Sequence, residues 1–103
     1  MDDHRLEKIR RLVRRGQWIP SSHVRKDYIE TGVCGVEDIE QSILTGAVTK
    51  EEKDEFHMAV DGMKYTIQGR SYCGLGFETV GKIIDGGDGL QYFVITAYNY
   101  RRG

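Results

Sequence analysis

The side chains of this sequence that most often do chemistry are few and widely spaced. The histidines His4, His23 and His57 are scattered, and Cys34 and Cys73 do not form a CxxC pair. A structural zinc site needs four clustered nitrogen or sulfur ligands, so this spacing predicts no metal site. No export signal opens the chain, and we therefore expect a cytoplasmic protein with reduced thiols.

His23 lies near the start of a predicted helix. Ser21 or Ser22 caps this helix, and Gly32 ends it. The positive end of the helix dipole disfavours a charged imidazolium in the first turn, so a neutral ring is expected. A structural histidine whose ring bonds to a strand carbonyl is the alternative interpretation.

Positive charge is concentrated at the beginning of the chain, although the whole chain has a net charge of −1. Residues 1–26 carry eight Lys/Arg and three Asp/Glu, whereas residues 27–61 carry two and ten. A first helix is predicted from Asp2 or Asp3 to about Arg15, and the dipole favours cations at its carboxyl end. Solvated charge on the helix surface is one explanation. The other is a nucleic-acid-binding helix that uses its arginines, which are Arg10, Arg11, Arg14 and Arg15.

The apolar pattern changes from helical to alternating near the middle of the chain. A third helix is predicted from about Val36 to Thr45, ended by Gly46, and it forms a hairpin with the second helix over 20–46. From Ala47 onward the pattern indicates strands. They are a strand from 47, an exposed edge or loop at 50–55, and strands at 63–68, 77–84 and 90–100, the last two joined by the DGGDG turn.

The stretch LQYFVITAYNY at 90–100 is apolar on both faces, which is typical of an interior strand. Strict alternation would place one set of side chains on a common face, namely Leu90, Tyr92, Val94, Thr96, Tyr98 and Tyr100. The stretch is too short and too polar to span a membrane. The 103 residues therefore predict one α+β domain, with a basic lead-in helix over 1–16, a helical hairpin over 20–46 and a three- to four-stranded antiparallel meander over 47–103.

The order of several short motifs resembles the bacterial family known as domain of unknown function 4258. The motifs are Ser-x-His at Ser21 and His23, Gly-Val at Gly32 and Val33, Leu-x-Gly at Leu44 and Gly46, Tyr-x-Ile-x-Gly at Tyr65, Ile67 and Gly69, and Val-Ile-Thr-x-Tyr from Val94 to Tyr98. The resemblance covers nearly the whole chain. It implies a RelE-like fold similar to the RelE- and MqsR-like toxins, and a zinc-finger antitoxin of the YgiT type as the partner.

The resemblance also implies a metal-independent endoribonuclease acting on messenger RNA, without a cofactor. His23 would be the general base or acid, assisted by the hydroxyl of Tyr98 or Tyr100 and by Arg101. Two larger sets of side chains would hold the RNA. The phosphates would be bound by Arg70, Lys82, Arg101 and Arg102, with Arg11 and Arg15. The bases would stack on Tyr65, Tyr72 and Tyr92. The family carries arginines four and eight residues after the histidine, where this chain has Asp27 and Thr31.

Two further function classes fit the same sequence. One is a non-catalytic protein-interaction module on the same scaffold, and the other is the nucleic-acid binder described above. A partner antitoxin would dock at the acidic segment 50–55 and the exposed sheet edge, by strand addition. The sequence does not distinguish a monomer from a homodimer.

Overall fold

A computed structural model describes residues 3–32, 34–72, 74 and 76–99. The helices are α1 (Asp3–Arg14), α2 (Ser22–Val24), which continues as a π-helical turn over Arg25–Ile29, and α3 (Val36–Thr45). The strands are β1 (Trp18–Pro20), β2 (Ala47–Lys53), β3 (Met63–Arg70), β4 (Gly76–Asp85) and β5 (Leu90–Asn99). The predicted α+β class is confirmed. No helix in the described part of the chain is long and apolar enough to cross a membrane.

Helix α1 buries a stripe of apolar side chains at helical spacing, namely Leu6, Ile9, Leu12 and Val13. Gly16 follows the helix with a φ of 72°, a backbone conformation that favours glycine. Arg10 does not face solvent like its neighbours, because its guanidinium donates to the carbonyl of Gly46 at 2.6 Å. This arginine of α1 therefore stabilises the carboxyl end of α3.

Helix α3 lies directly on β3. Its residues Ile39 and Ile43 are fully buried, and Asp38 caps the helix by accepting the backbone N–H of Gly35 at 2.9 Å. A Cβ at Gly69 of β3 would lie 1.9 Å from the carbonyl oxygen of Ser42. Only a glycine at position 69 lets the helix approach the strand this closely.

The sheet has five strands in the order β1-β5-β4-β3-β2, and it is mixed. The predicted meander of three or four antiparallel strands is not confirmed as such, because the described sheet is mixed and has five strands, of which β2 to β5 pair antiparallel. The connector Trp18–Pro20 forms β1, which pairs in parallel with β5 between Tyr92 and Val94. This pairing gives β5 a neighbour on each side, so the interior position predicted for β5 is confirmed. Pro20 is tolerated in β1 because β1 is an edge strand.

A β-bulge in β5 changes the side-chain alternation predicted for this strand. Val80 pairs with Thr96 but Gly81 pairs with Val94, so Ile95 is an extra residue. Thr96 and Tyr98 therefore face away from Tyr92 and Val94, contrary to the strict alternation expected from the sequence. The bulge turns Tyr98 toward the outer face of the sheet.

The hydrophobic core lies between the helices and one face of the sheet. Buried side chains of α1 and α3 form a single cluster with strand residues that include Ile67, Phe77, Ile83, Val94 and Ala97. We call the opposite face, on which Gln68, Glu78 and Tyr98 lie, the outer face. The candidate site is on this face.

Candidate functional site

A row of polar side chains crosses three neighbouring strands on the outer face. Gln68 of β3 is directly opposite Glu78 of β4, which is directly opposite Tyr98 of β5. The Glu78 carboxylate accepts a hydrogen bond from Gln68 Nε2 at 2.7 Å on one oxygen and a bond from the Tyr98 hydroxyl on the other. Both donors orient a carboxylate that remains accessible from solvent.

Tyr98 connects this row to the π-helical turn. The hydrogen bond to Glu78 is the main cause that raises the pKa of Tyr98, with smaller contributions from burial and from Tyr28. The Tyr28 ring in turn meets the His23 ring edge to face, with 5.3 Å between the ring centroids. His23 is thus in ring contact with Tyr28, which interacts electrostatically with Tyr98, and we call the region of His23, Tyr28 and Tyr98 the corner.

His23 is exposed and is held by a residue of its own helix. Its Nδ1 lies 2.7 Å from the Asp27 carboxylate, and Thr31 donates to the Asp27 carbonyl at 2.8 Å. The alternative of a ring bonded to a strand carbonyl does not describe this contact. Asp27 instead orients the imidazole, and it leaves Nε2 as the nitrogen that can exchange a proton with a ligand.

Arg70 lies on β3, two residues beyond Gln68 and therefore on the same face. It is exposed, and its guanidinium donates to the Gly74 carbonyl at 3.1 Å. Its backbone N–H donates to the Thr45 hydroxyl at 3.1 Å. Among the predicted phosphate-binding residues that the structure describes, Arg70 is the one on the same strand and face as Gln68 of the Glu78 row.

Lys82 does not fit the predicted phosphate-binding role. Its side chain is 3% exposed, and its Nζ lies 3.1 Å from Oδ1 of the buried Asp54. Burial alone raises the pKa of Asp54, but three backbone N–H donors and Lys82 outweigh burial and lower this pKa to about 2. The charge of Lys82 is therefore neutralised inside the protein and is out of reach of an RNA phosphate.

Two of the three tyrosines predicted to stack on bases are in the core. Tyr65 and Tyr92 are buried, and burial raises the pKa of both phenols above the usual value. Tyr65 also donates to Asp61, which raises its pKa further. The alternation of β3 placed Tyr65 with Met63 and Ile67, and that apolar face is the one that the helices cover. Tyr72, by contrast, is 74% exposed.

The remaining predicted residues are separate from this corner or are not described. Arg11 and Arg15 are exposed and lie at the carboxyl end of α1, the helix that packs on the opposite side of the sheet. Arg101, Arg102 and Tyr100 lie outside the described residues, as does Cys73. Burial raises the pKa of the Cys34 thiol to about 11, with Asp38 adding to the effect, so this cysteine stays protonated at neutral pH.

Sequence reasoning missed Glu78 and Gln68. A signal was present for Glu78, because an acidic residue inside the apolar strand at 77–84 has to face solvent or a partner. The partner depends on strand register, which the sequence did not give. Within the described ranges, no three His, Cys, Asp or Glu side chains are close enough together to hold a metal ion.

Comparisons with known proteins do not add to this picture, since no family model, no curated protein and no solved structure matches the chain. The interpretation of the site therefore depends on its geometry and on the motif resemblance described above.

Proposed function

We propose that the protein is a toxin-like endoribonuclease of a type II toxin–antitoxin pair, with its active site at the corner formed by His23, Tyr98 and Glu78. The observation that carries the proposal is the Glu78 carboxylate, which Tyr98 and Gln68 orient and which Tyr98 and Tyr28 connect to an exposed imidazole. The order of motifs shared with the domain of unknown function 4258 family supports it. A RelE-like fold is part of the same proposal.

The reaction follows from the chemistry of the two titratable groups. Glu78 takes the proton of a ribose 2′-hydroxyl, which then attacks the adjacent phosphorus. His23, as imidazolium, gives a proton to the departing 5′-oxygen. The products are a 2′,3′-cyclic phosphate and a 5′-hydroxyl. Because side chains supply both proton transfers, the proposed reaction needs no metal ion.

The other residues of the corner bind and position the RNA. Arg70 neutralises a phosphate, and the partly exposed ring of Tyr98 provides a surface on which an unpaired base stacks. Asp27 holds the His23 ring through Nδ1 and so leaves Nε2 toward the departing oxygen. An arginine at position 27, as the family has, would bind phosphate instead.

Cleavage of a labelled single-stranded RNA of mixed sequence, in EDTA, tests the proposal. Glu78→Gln and His23→Gln are each expected to lower the cleavage rate by about 10²–10⁴-fold. Tyr98→Phe keeps the ring and removes the hydroxyl, so we expect a smaller loss. Tyr72→Phe removes an exposed hydroxyl elsewhere and is the matched control, and DNA of the same sequence must stay intact because it lacks the nucleophile.

A non-catalytic interaction module is the second candidate. It is favoured by the burial of Lys82 and by the pairing of His23 with Asp27. Within the described residues, these contacts leave Arg70 as the one predicted phosphate-binding cation beside the site. The same assay separates the two functions. Folded wild-type protein that cuts no RNA would contradict catalysis and favour the module, as would a cleavage rate that the Glu78 and His23 substitutions leave unchanged.

A partner antitoxin belongs to both proposals. Strand β2 has one described neighbour, β3, so its other edge has unpaired backbone groups. A shallow cavity of about 270 Å³ lies along this strand and is lined by Val48, Thr49, Lys50 and Glu51. Strand addition at this edge would use the acidic segment that the sequence indicated.

A further inference from the structure

The segment from Asp54 to Gly62, which joins β2 to β3, is organised around a buried carboxylate. Asp54 is 2% exposed and accepts the backbone N–H groups of Phe56 at 3.3 Å, Met58 at 2.8 Å and Ala59 at 2.8 Å. Its remaining bonds come from Lys82 Nζ at 3.1 and 3.3 Å. One side chain therefore fixes three backbone positions of the loop.

Backbone bonds fix the same loop at both ends. Asp54 donates its N–H to the Gly62 carbonyl at 2.8 Å, and Val60 donates to the Ile83 carbonyl of β4 at 2.8 Å. His57 has a φ of 57°, which is uncommon for a residue other than glycine and is held here by the surrounding bonds. A loop with this many constraints loses little conformational entropy when it binds a partner.

This rigid loop exposes large apolar side chains. Phe56 is 78% exposed, and Met58 and Val60 are each 54% exposed. The three occupy every second position of the loop. The Lys82 nitrogen lies 5.5 Å from the Phe56 ring centroid and makes a cation–π contact with this ring. Preformed apolar groups that a protein holds in water typically mark an interaction site.

The charges around the loop indicate what kind of partner covers it. Glu55 and Asp61 are exposed within the loop, whereas Glu51 and Glu52, which precede it on β2, already pair with Arg5 and Lys50. A matching surface therefore needs positive charge beside large apolar groups. A second copy of the chain offers the cations of α1, but the apolar stripe of that helix is buried in the core.

We propose that the loop 54–62 is a preformed docking surface for a partner protein segment that carries Lys or Arg next to large apolar side chains. The partner inserts its apolar side chains among Phe56, Met58 and Val60, and its cations pair with the exposed carboxylates of the loop, Glu55 and Asp61. This inference deepens the partner part of the proposed function and does not require RNA cleavage, so either can fail alone.

Binding of a labelled amphipathic Lys/Leu peptide, followed by fluorescence anisotropy, tests the surface. Phe56→Ser/Met58→Ser is expected to weaken binding by about tenfold or more, and Glu55→Gln to weaken it less. The control Ile19→Ser/Tyr72→Ser removes exposed apolar side chains elsewhere and should bind like the wild type. Because Phe56 contacts Lys82, Met58→Ser/Val60→Ser is a second variant that leaves this contact intact.

Several outcomes would overturn the proposal. They are equal binding by the loop variants and the control, or equal binding of a Glu/Leu peptide of the same length. A wild-type dimer that sediments as a monomer after Phe56→Ser/Met58→Ser would make a second copy the occupant. Phosphatidylcholine vesicles that bind the wild type but not this variant would make the occupant a lipid surface.

Discussion

Asp54 and Lys82 form a buried ion pair. Nothing in the sequence indicates that these two charged residues, 28 positions apart, would be buried together. Their mutual pairing, with three backbone donors, is what makes the burial of Asp54 tolerable. Removing one partner leaves the other charge buried without compensation.

We therefore expect Asp54→Asn to lower the free energy of unfolding by about 3–5 kcal/mol near neutral pH. Urea unfolding measures this change. The exposed Asp88→Asn is the control and should be nearly neutral. A loss below about 1 kcal/mol would show that the pair contributes no more than a surface ion pair does.

The low pKa of Asp54 also predicts how stability depends on pH. The pKa is about 2 in the folded protein, and an unfolded aspartate has a pKa of about 3.9. The ionised group therefore stabilises the fold fully above about pH 4, and this contribution is lost as the pH falls through 2. Unfolding free energies measured between these values should fall more steeply in the wild type than in Asp54→Asn, and parallel slopes would contradict the assignment.

At the scale of elements, Ser21 joins three structures. Its hydroxyl accepts the Val24 N–H at 3.1 Å, which caps α2, and donates to the carbonyl of the bulge residue Ile95 at 2.8 Å. Its own N–H donates to the Val94 carbonyl at 2.9 Å and so extends the β1–β5 pairing. Ser21 therefore links the helix that carries His23 to the bulge that orients Tyr98.

Ser21→Ala is expected to lower the free energy of unfolding by about 1–2 kcal/mol, since it removes the cap and the bulge contact together. Thermal unfolding followed by circular dichroism gives the comparison with Ser22→Ala, an exposed serine one position later. Equal melting temperatures of the two variants would rule out the bridging role of Ser21.

The contact between α3 and β3 has a similar single-residue dependence. Gly69→Ala should lower the free energy of unfolding by about 1–3 kcal/mol, because the added Cβ collides with the Ser42 carbonyl, which cannot move without moving the helix. Gly35→Ala is the control, since its Cβ would meet the flexible end of Glu37. Chemical denaturation that ranks Gly35→Ala as the more harmful change would disprove this account of the packing.

At the scale of the whole molecule, the sheet separates two charged surfaces. The cations of α1 lie on the helical side, whereas the Glu78 row lies on the outer face. Because α1 lies across the sheet from the proposed site, we expect Arg11→Gln/Arg15→Gln to change neither the salt dependence of RNA binding nor the cleavage rate at saturating RNA. The slope falls by roughly one unit only for each phosphate that these arginines neutralise. Titrations at several salt concentrations measure the slope. Loss of cleavage in this variant would instead place the RNA on α1, as the alternative of a basic nucleic-acid-binding helix requires.

Local patterns in the sequence were sufficient for most of the elements, but not for β1 or for the π-helical turn that follows α2. The span Val36–Thr45, the Ser21 cap, the Gly46 end and the turn between β4 and β5 are all fixed by residues close together in the chain, and the structure has each of them. The physical reason is that caps, periodicity and turn chemistry act within a few residues of one another.

Tertiary structure alone decided how these elements meet and which side chains form the site. The parallel pairing of Trp18–Pro20, the bulge at Ile95 and the burial of Lys82 each depend on residues far apart in the chain. One extra residue in β5 is enough to move Tyr98 from the predicted face to the outer face, where Glu78 lies. Strand register is set by the packing of the assembled core, so the sequence determined most of the helices and strands, whereas the fold determined β1 and the row from Gln68 through Glu78 to Tyr98.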